Sequence, residues 1–481
     1  MFLLRDPRGR HSVGATRCTI PLETPIIVGN ANIPGQDEPG IRLEEVAFTV
    51  FYPTSATLGN KQQKKGLRWL TGPLHTEIAG LGHFAGVSRW MIWLILTPFL
   101  YAYGQFVKIP VYQDAPLQRP SEEGAKWPLV IFSHGLGGSP TTYSQLCTRL
   151  AASGKVVIAM EHRDGTMPSC IVPYKGSQKP LFYVRESDVS WVEKQQDTLP
   201  LRVDQLIIRQ HEIYTTYAAF MKLVKGDSDV GPSIRFTSTE TTDSETKHTW
   251  STAPIDVSDI CLAGHSFGGC TMFSLLSSKP PIISEVKSYP QIPVRDTLIL
   301  DPWLEPLPSP GPTPLSDVVD DASATTVTDQ LNQGSGGAPN DKTCDPTKRN
   351  NPRLLVINSE AFTLWSSHFE RLANIVKCWG PNAKLLTLVK SAHTSFSDYH
   401  VFPLIGSNAS AQLIDIISDL SIAFLNSLND DWLSDWLSKE TGSKLKIDLV
   451  HTMPEKIVIG KWPDGHNRHR FAGELGQIVH H

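Results

Sequence analysis

The sequence predicts an α/β fold: a mostly parallel, doubly wound sheet with helices on both faces. Three observations carry this. From Trp127 onward, short continuous apolar runs alternate with longer stretches of helical spacing. The apolar runs do not alternate with polar residues, as expected for strands buried on both faces. Hydrophobic residues make up 40% of the 481 and charged residues 19%, enough apolar surface to bury such a sheet.

The elements follow in order. Residues 44–53, EEVAFTVFYP, alternate and carry β-branched and aromatic side chains, so they read as an early strand. PLVIFSHG is a buried strand ending in glycine, and TTYSQLCTRLAASG a helix with a glycine stop. KVVIAMEHRDG is the next strand, followed by a long amphipathic helix from Leu201 to Gly226. ICLAGHS and GGCTMFSLLSS form a strand and a helix, and DTLILDPW, RLLVINSE and KLLTLVKSAH complete the strands. Residues 1–43 are expected as an N-terminal extension, 44–428 as the main domain and 429–481 as a C-terminal extension. Polar stretches at about 225–253 and 308–351 read as mobile surface insertions, because neither buries enough apolar surface to offset its ordering entropy.

Net charge is −4 and no long basic run is present, so nucleic acid is not expected as a partner. Seven cysteines lie between Cys18 and Cys378 with no C-x-x-C pair, which supports neither a disulfide framework nor a thiolate metal site. The start, MFLLRDPRGRHSVG, lacks a secretory apolar stretch and has Phe2 where myristoylation requires glycine. A cytoplasmic location is therefore expected, against which the sequon at Asn408 weighs slightly. Residues 90–103 are apolar over about 14 positions and contain Pro98, too short for a bilayer core of roughly 30 Å. They read as a buried helix, or as one lying at a membrane surface, where Trp90, Trp93, Tyr101 and Tyr103 suit the boundary.

The stretch CLAGHSFGGCTM carries the chemistry. Its G-x-S-x-G follows a buried strand and opens a helix, the strand-turn-helix geometry that presents a serine nucleophile. Gly264, Gly268 and Gly269 leave room where a Cβ would clash, and the helix N-terminus favours developing negative charge. A serine that merely caps a helix needs no such glycine set, so Ser266 is the expected nucleophile. It needs a base, and the base needs an orienting carboxylate, in the chain order Ser, acid, His. His393 directly follows a late strand and is the expected base, with His400 in reserve. Asp301 and Glu360 each end a strand, and either could orient His393. Asp301 has the lead because Pro302 and Trp303 would fix its turn. The oxyanion hole is expected from the N–H of Phe267 and that of Leu136 in FSHGLGG, with Gly135 as the alternative.

Six blocks in one order, PLVIFSHGLGG, EHRDGT, AGHSFGG, LDPWLEPL, INSE and SAHTSFSDY, resemble the platelet-activating factor acetylhydrolases, which include lipoprotein-associated phospholipase A2. The resemblance implies an α/β-hydrolase fold and calcium-independent hydrolysis of short or oxidised sn-2 acyl groups of phospholipids, with no metal or cofactor. It implies a triad of Ser266, Asp301 and His393, which settles Asp301 over Glu360, and oxyanion donors at Leu136 and Phe267. It also implies a lipid-facing helix where residues 90–103 lie, hence peripheral membrane contact. The missing signal peptide of the plasma type points to the intracellular branch. Two other readings stand beside it: a broad carboxylesterase or polyester hydrolase, and a non-catalytic lipid-binding protein on a hydrolase scaffold.

Overall fold

The computed structural model describes residues 2–481 apart from 57–65, 194, 196, 227–233, 238–249, 252, 285–286, 310, 312–350, 430, 441–448 and 462–465. The chain divides into two units, residues 1–260 with 279–293 and residues 261–278 with 294–481.

In the first unit, β1 (Ser12–Val28), β2 (Ile41–Thr54), β3 (Trp127–Ser133) and β4 (Val156–Glu161) lie in the order β1-β2-β4-β3. The pairs β1–β2 and β2–β4 are antiparallel and β4–β3 is parallel. The sheet is therefore mixed at this end, where a mostly parallel one was expected. β3 and β4 are buried almost throughout, which is why their sequences are unbroken apolar runs. Helix α1 (Leu74–Phe84) packs beside a hairpin formed by Ser169–Tyr174 and Ser177–Phe182. α2 (Ser144–Ala152) is buried along its whole length. α3 (Pro200–Lys225) starts on its own proline, which needs no N–H partner there, and stops at Gly226 with φ +69°.

β1 falls within residues 1–43, expected as an extension, yet it pairs with β2 from Ser12 to Val28. Its pairing breaks between Pro21 and Ile26, since proline has no N–H to give a ladder. The 225–253 stretch, expected as a mobile insertion, contributes Arg235–Phe236 to the edge of β1. Trp250 is buried there, its ring edge-on to Tyr52 at 5.1 Å. Most of the 308–351 insertion lies outside the described residues.

In the second unit, β5 (Ile255–His265), which enters from the first, is followed by β6 (Val294–Leu300), β7 (Arg353–Ser359) and β8 (Ala383–Leu388), in that spatial order. β6–β7 and β7–β8 are parallel. β9 (Ile478–His480) pairs antiparallel with β8, and Leu449–Val450 adds a short strand beyond it, although residues 429–481 were expected as an extension. Helices α4 (Phe267–Leu276), α5 (Ser366–Trp379) and α6 (Asn408–Asn426) accompany these strands. Taken separately, the two strand orders are the two halves of the α/β-hydrolase order. The protein is an α/β hydrolase in fold.

Candidate active site

Ser266 stands between β5 and α4 with φ +57° and ψ −119°, a conformation that non-glycine residues avoid. Three backbone bonds hold it there. Its N–H donates to Leu300 O at 2.9 Å, and its carbonyl accepts from Trp303 N–H at 3.1 Å and Cys270 N–H at 3.0 Å. Strain of this kind persists only where surrounding contacts over-determine it. Gly264 shows why the turn needs glycine: a Cβ there would lie 2.3 Å from Gly268 O. At Gly269 a Cβ would lie 3.0 Å from Ile299 and Pro302, a tighter fit than side chains normally make.

The side chains of Ser266, His393 and Asp301 come together. Ser266 Oγ is 2.9 Å from His393 Nε2, and His393 Nδ1 is 2.7 Å from Asp301 Oδ2. His393 opens a short 3-10 turn, His393–Phe396, just after β8. Asp301 follows β6 at φ +47° and is fully buried. Its Oδ1 accepts from Ser359 N–H at 2.7 Å, and its Oδ2 accepts from Ser359 Oγ–H at 2.7 Å. With the Asn358 amide turned to satisfy both its ends, its nitrogen donates to Oδ1 at 2.9 Å. Four donors thus surround the carboxylate and leave it fixed in direction.

Glu360, the other candidate acid, is turned elsewhere. It accepts from Lys390 N–H at 2.7 Å and Phe471 N–H at 3.2 Å, tying the loop before His393 to the end of the strand Asn467–Phe471. His400 bonds to Thr394 Oγ1 at 2.6 Å and remains at the surface, outside the hydrogen-bonded chain.

His265, immediately before the serine, went unmarked in the sequence. Its Nε2–H donates to His393 O at 3.0 Å, and the two rings lie 4.5 Å apart. Burial pushes its pKa well below the usual histidine range, with proximity to His393 adding to the effect, so it is neutral. Phe362 covers His393 in a parallel stack, centroids 4.3 Å apart at 3°. The short INSE block was the only sequence signal near Ser359 and Phe362.

One ligand atom each from His265, Asp301 and His393 lies within 4.8 Å of the others, a spacing that could hold a metal ion. Those atoms are already engaged: His393 by Asp301 and Ser266, and His265 by a carbonyl.

Phe267 is the first residue of α4 and is buried. Leu136 belongs to the first unit, in the loop after β3. There the N–H groups of Gly135, Gly137 and Gly138 donate to Tyr143 Oη at 3.2 Å, Thr166 O at 2.8 Å and Gly135 O at 3.0 Å. Among the described residues, none accepts the Leu136 N–H. Beneath the loop, Arg209 of α3 is fully buried, pairs with Asp164 at 2.8 Å and donates to His134 O at 2.7 Å, which fixes the loop's start.

Residues 90–103 form a continuous run of helical turns, Arg89–Met91, a π-type turn at Ile92–Leu96, and Thr97–Ala102. The wide turn precedes Pro98, whose missing N–H interrupts ordinary helix bonding. Trp90, Trp93 and Leu94 are 64%, 71% and 67% exposed. The buried-helix alternative therefore fails for these side chains, while Leu100 and Tyr103 are buried. No helix among the described residues is long and apolar enough to cross a membrane.

Comparison with known proteins gives three kinds of likeness. Residues 5–311 match the family described as platelet-activating factor acetylhydrolase, isoform II. A platelet-activating factor acetylhydrolase of Gallus gallus is 28% identical over 356 residues, 68% of this chain and 70% of that protein. One of Canis lupus familiaris is 26% identical, covering 71% and 66% of the two chains, so the match spans about two thirds of these relatives. A putative phospholipase A2 of Schizosaccharomyces pombe is 28% identical over 278 residues, 55% of this chain and 58% of that one. Among solved structures, a ferulic acid esterase from Streptomyces cinnamoneus aligns at TM-score 0.48 and 13% identity, over 88% of this chain and 92% of its own.

Proposed function

The chain belongs to the platelet-activating factor acetylhydrolase family, and on that premise we propose that it is a serine esterase that removes short or oxidised sn-2 acyl groups from phospholipids. The observation that carries this reading is the chain of hydrogen bonds from Ser266 through His393 to Asp301, at 2.9 and 2.7 Å. A serine hydroxyl becomes a useful nucleophile only when a base removes its proton as it attacks. Here Ser266 Oγ attacks the ester carbonyl carbon and its proton passes to His393 Nε2. Asp301 holds Nδ1–H and supports the imidazolium. The oxyanion takes a hydrogen bond from the N–H of Phe267, the residue after the nucleophile. His393 then protonates the departing lysophospholipid oxygen, and water activated by the same ring clears the acyl-enzyme.

Substrate access is the second part of the proposal. The exposed Trp90, Trp93 and Leu94 would rest in the headgroup boundary of a membrane, where amphipathic aromatic rings are favoured. Nothing in this scheme calls for calcium.

A substrate panel tests the reading. The enzyme should cleave an acetyl phospholipid far faster than the same lipid with a long sn-2 chain. Rapid cleavage of simple p-nitrophenyl esters with no turnover of either phospholipid would instead make it a broad carboxylesterase.

A further inference from the structure

We propose that Phe362 is a positioning residue for catalysis, its ring face favouring the imidazolium that His393 becomes when Ser266 gives up its proton. The inference rests on the esterase reading above and adds a part to its site.

The geometry is specific. The Phe362 and His393 rings are parallel within 3° and 4.3 Å apart, so the electron-rich face of one covers the face of the other. Aromatic faces attract cations at this range, and a planar cation gains most when stacked flat. A neutral imidazole feels only packing. The contact is therefore stronger in the charged state, which exists when the Oγ–C bond has formed, the carbonyl π pair has moved to oxygen and the Oγ proton sits on Nε2. Only interactions that strengthen on the way to that state raise turnover.

The ring is aimed by the same residue that holds the acid. Ser359 Oγ accepts from Phe362 N–H at 3.2 Å, capping the short helix Glu360–Thr363, while its hydroxyl proton goes to Asp301 Oδ2. Near-perpendicular contacts with Trp365 at 5.8 Å and His368 at 5.2 Å fix the plane of Phe362 from outside.

The other titratable groups around His393 do not do this work. Asp301, from the end of β6, hydrogen-bonds its Nδ1 and lies off the ring face. His265, from the elbow, is neutral because it is buried. His368, from α5, has its pKa lowered to about 4, mainly by burial, and is neutral as well. Neither histidine supplies the attraction that a stacked benzene ring does.

The test replaces Phe362 with phenylalanines carrying progressively more ring fluorine, which keep the shape but drain negative charge from the face. Phe362→Leu is added as a variant with packing alone. The pH dependence of kcat and kcat/KM is measured on a soluble acetate ester, with fluorophosphonate labelling of each protein in parallel. Across the series, kcat should fall stepwise by about threefold to tenfold with KM unchanged. The acidic limb of kcat/KM should move to lower pH, because a less attractive face lets the proton leave His393 more readily. An unchanged limb and plateau across the fluorinated set would overturn the inference, as would a fall in kcat with no movement of the limb. Wild-type protein that takes no label at Ser266 would overturn the esterase reading, and this inference with it.

Discussion

Ser359 hydrogen-bonds both oxygens of the Asp301 carboxylate, through its N–H to Oδ1 and its hydroxyl to Oδ2, each at 2.7 Å. The next residue in the chain, Glu360, turns its own carboxylate away to the Lys390 and Phe471 amides. Two acids at neighbouring strand ends thus have different duties, one facing a histidine and the other tying loops together.

Substituting each acid separates these duties. Asp301→Asn should lower turnover by about 10⁴-fold, because His393 loses the group that sets its tautomer. Glu360→Gln should lower it by less than about tenfold and show instead in thermal stability. The steady-state rate of each folded variant decides, and the opposite ranking would move the acid to Glu360.

Gly264→Ala should damage the elbow itself. The added Cβ would sit 2.3 Å from Gly268 O, a backbone atom that cannot swing aside. Overpacking of this kind costs about 1–3 kcal/mol, which denaturant unfolding will show, and turnover should fall with it.

The elbow was legible because everything it needs is local: a buried strand, glycines either side of Ser266 and a helix after it. His393 was legible because one histidine alone directly follows a late strand. Asp301 was half legible, since its rival also ends a strand, and the difference lies in the direction of the turn, φ +47° at Asp301. Ser359 and Phe362 were not, because their roles exist only through contacts that span 58 residues in sequence to Asp301 and a ring stack with His393. β1 escaped notice because two prolines and polar residues mask its pairing. Trp250 did so because a single buried ring lay in a polar stretch.

Acid should weaken the fold through its buried histidines. His134 is buried and its pKa is pushed down to about 3, by burial first and by Arg209 next, and burial likewise lowers that of His265. An unfolded histidine takes its proton near pH 6.5, so below that pH the unfolded chain binds more protons than the native one. Stability from His134 is therefore present above pH 6.5 and is lost from there down to about pH 3. Each such histidine contributes a slope of about 1.4 kcal/mol per pH unit. Urea unfolding between pH 7 and 5 should show this decline, and His134→Gln should flatten it by one proton's worth.

The exposed apolar segment predicts a split between substrates. Trp93→Ala and Leu94→Ser remove side chains that are 71% and 67% exposed, so the melting temperature should stay within a few degrees. Hydrolysis of a soluble ester should be preserved while liposome binding and hydrolysis of vesicle-borne phospholipid both fall. Equal losses on the two substrates with a large drop in melting temperature would show that these side chains support the fold.

The most direct measurement is to label the protein with a fluorophosphonate and map the adduct by peptide mass, alongside the turnover of Ser266→Ala. The account predicts a single adduct on Ser266, loss of turnover in proportion to labelling, and a folded Ser266→Ala protein that neither labels nor turns over ester above a trace. An adduct on another residue, or substantial turnover by folded Ser266→Ala, would contradict it.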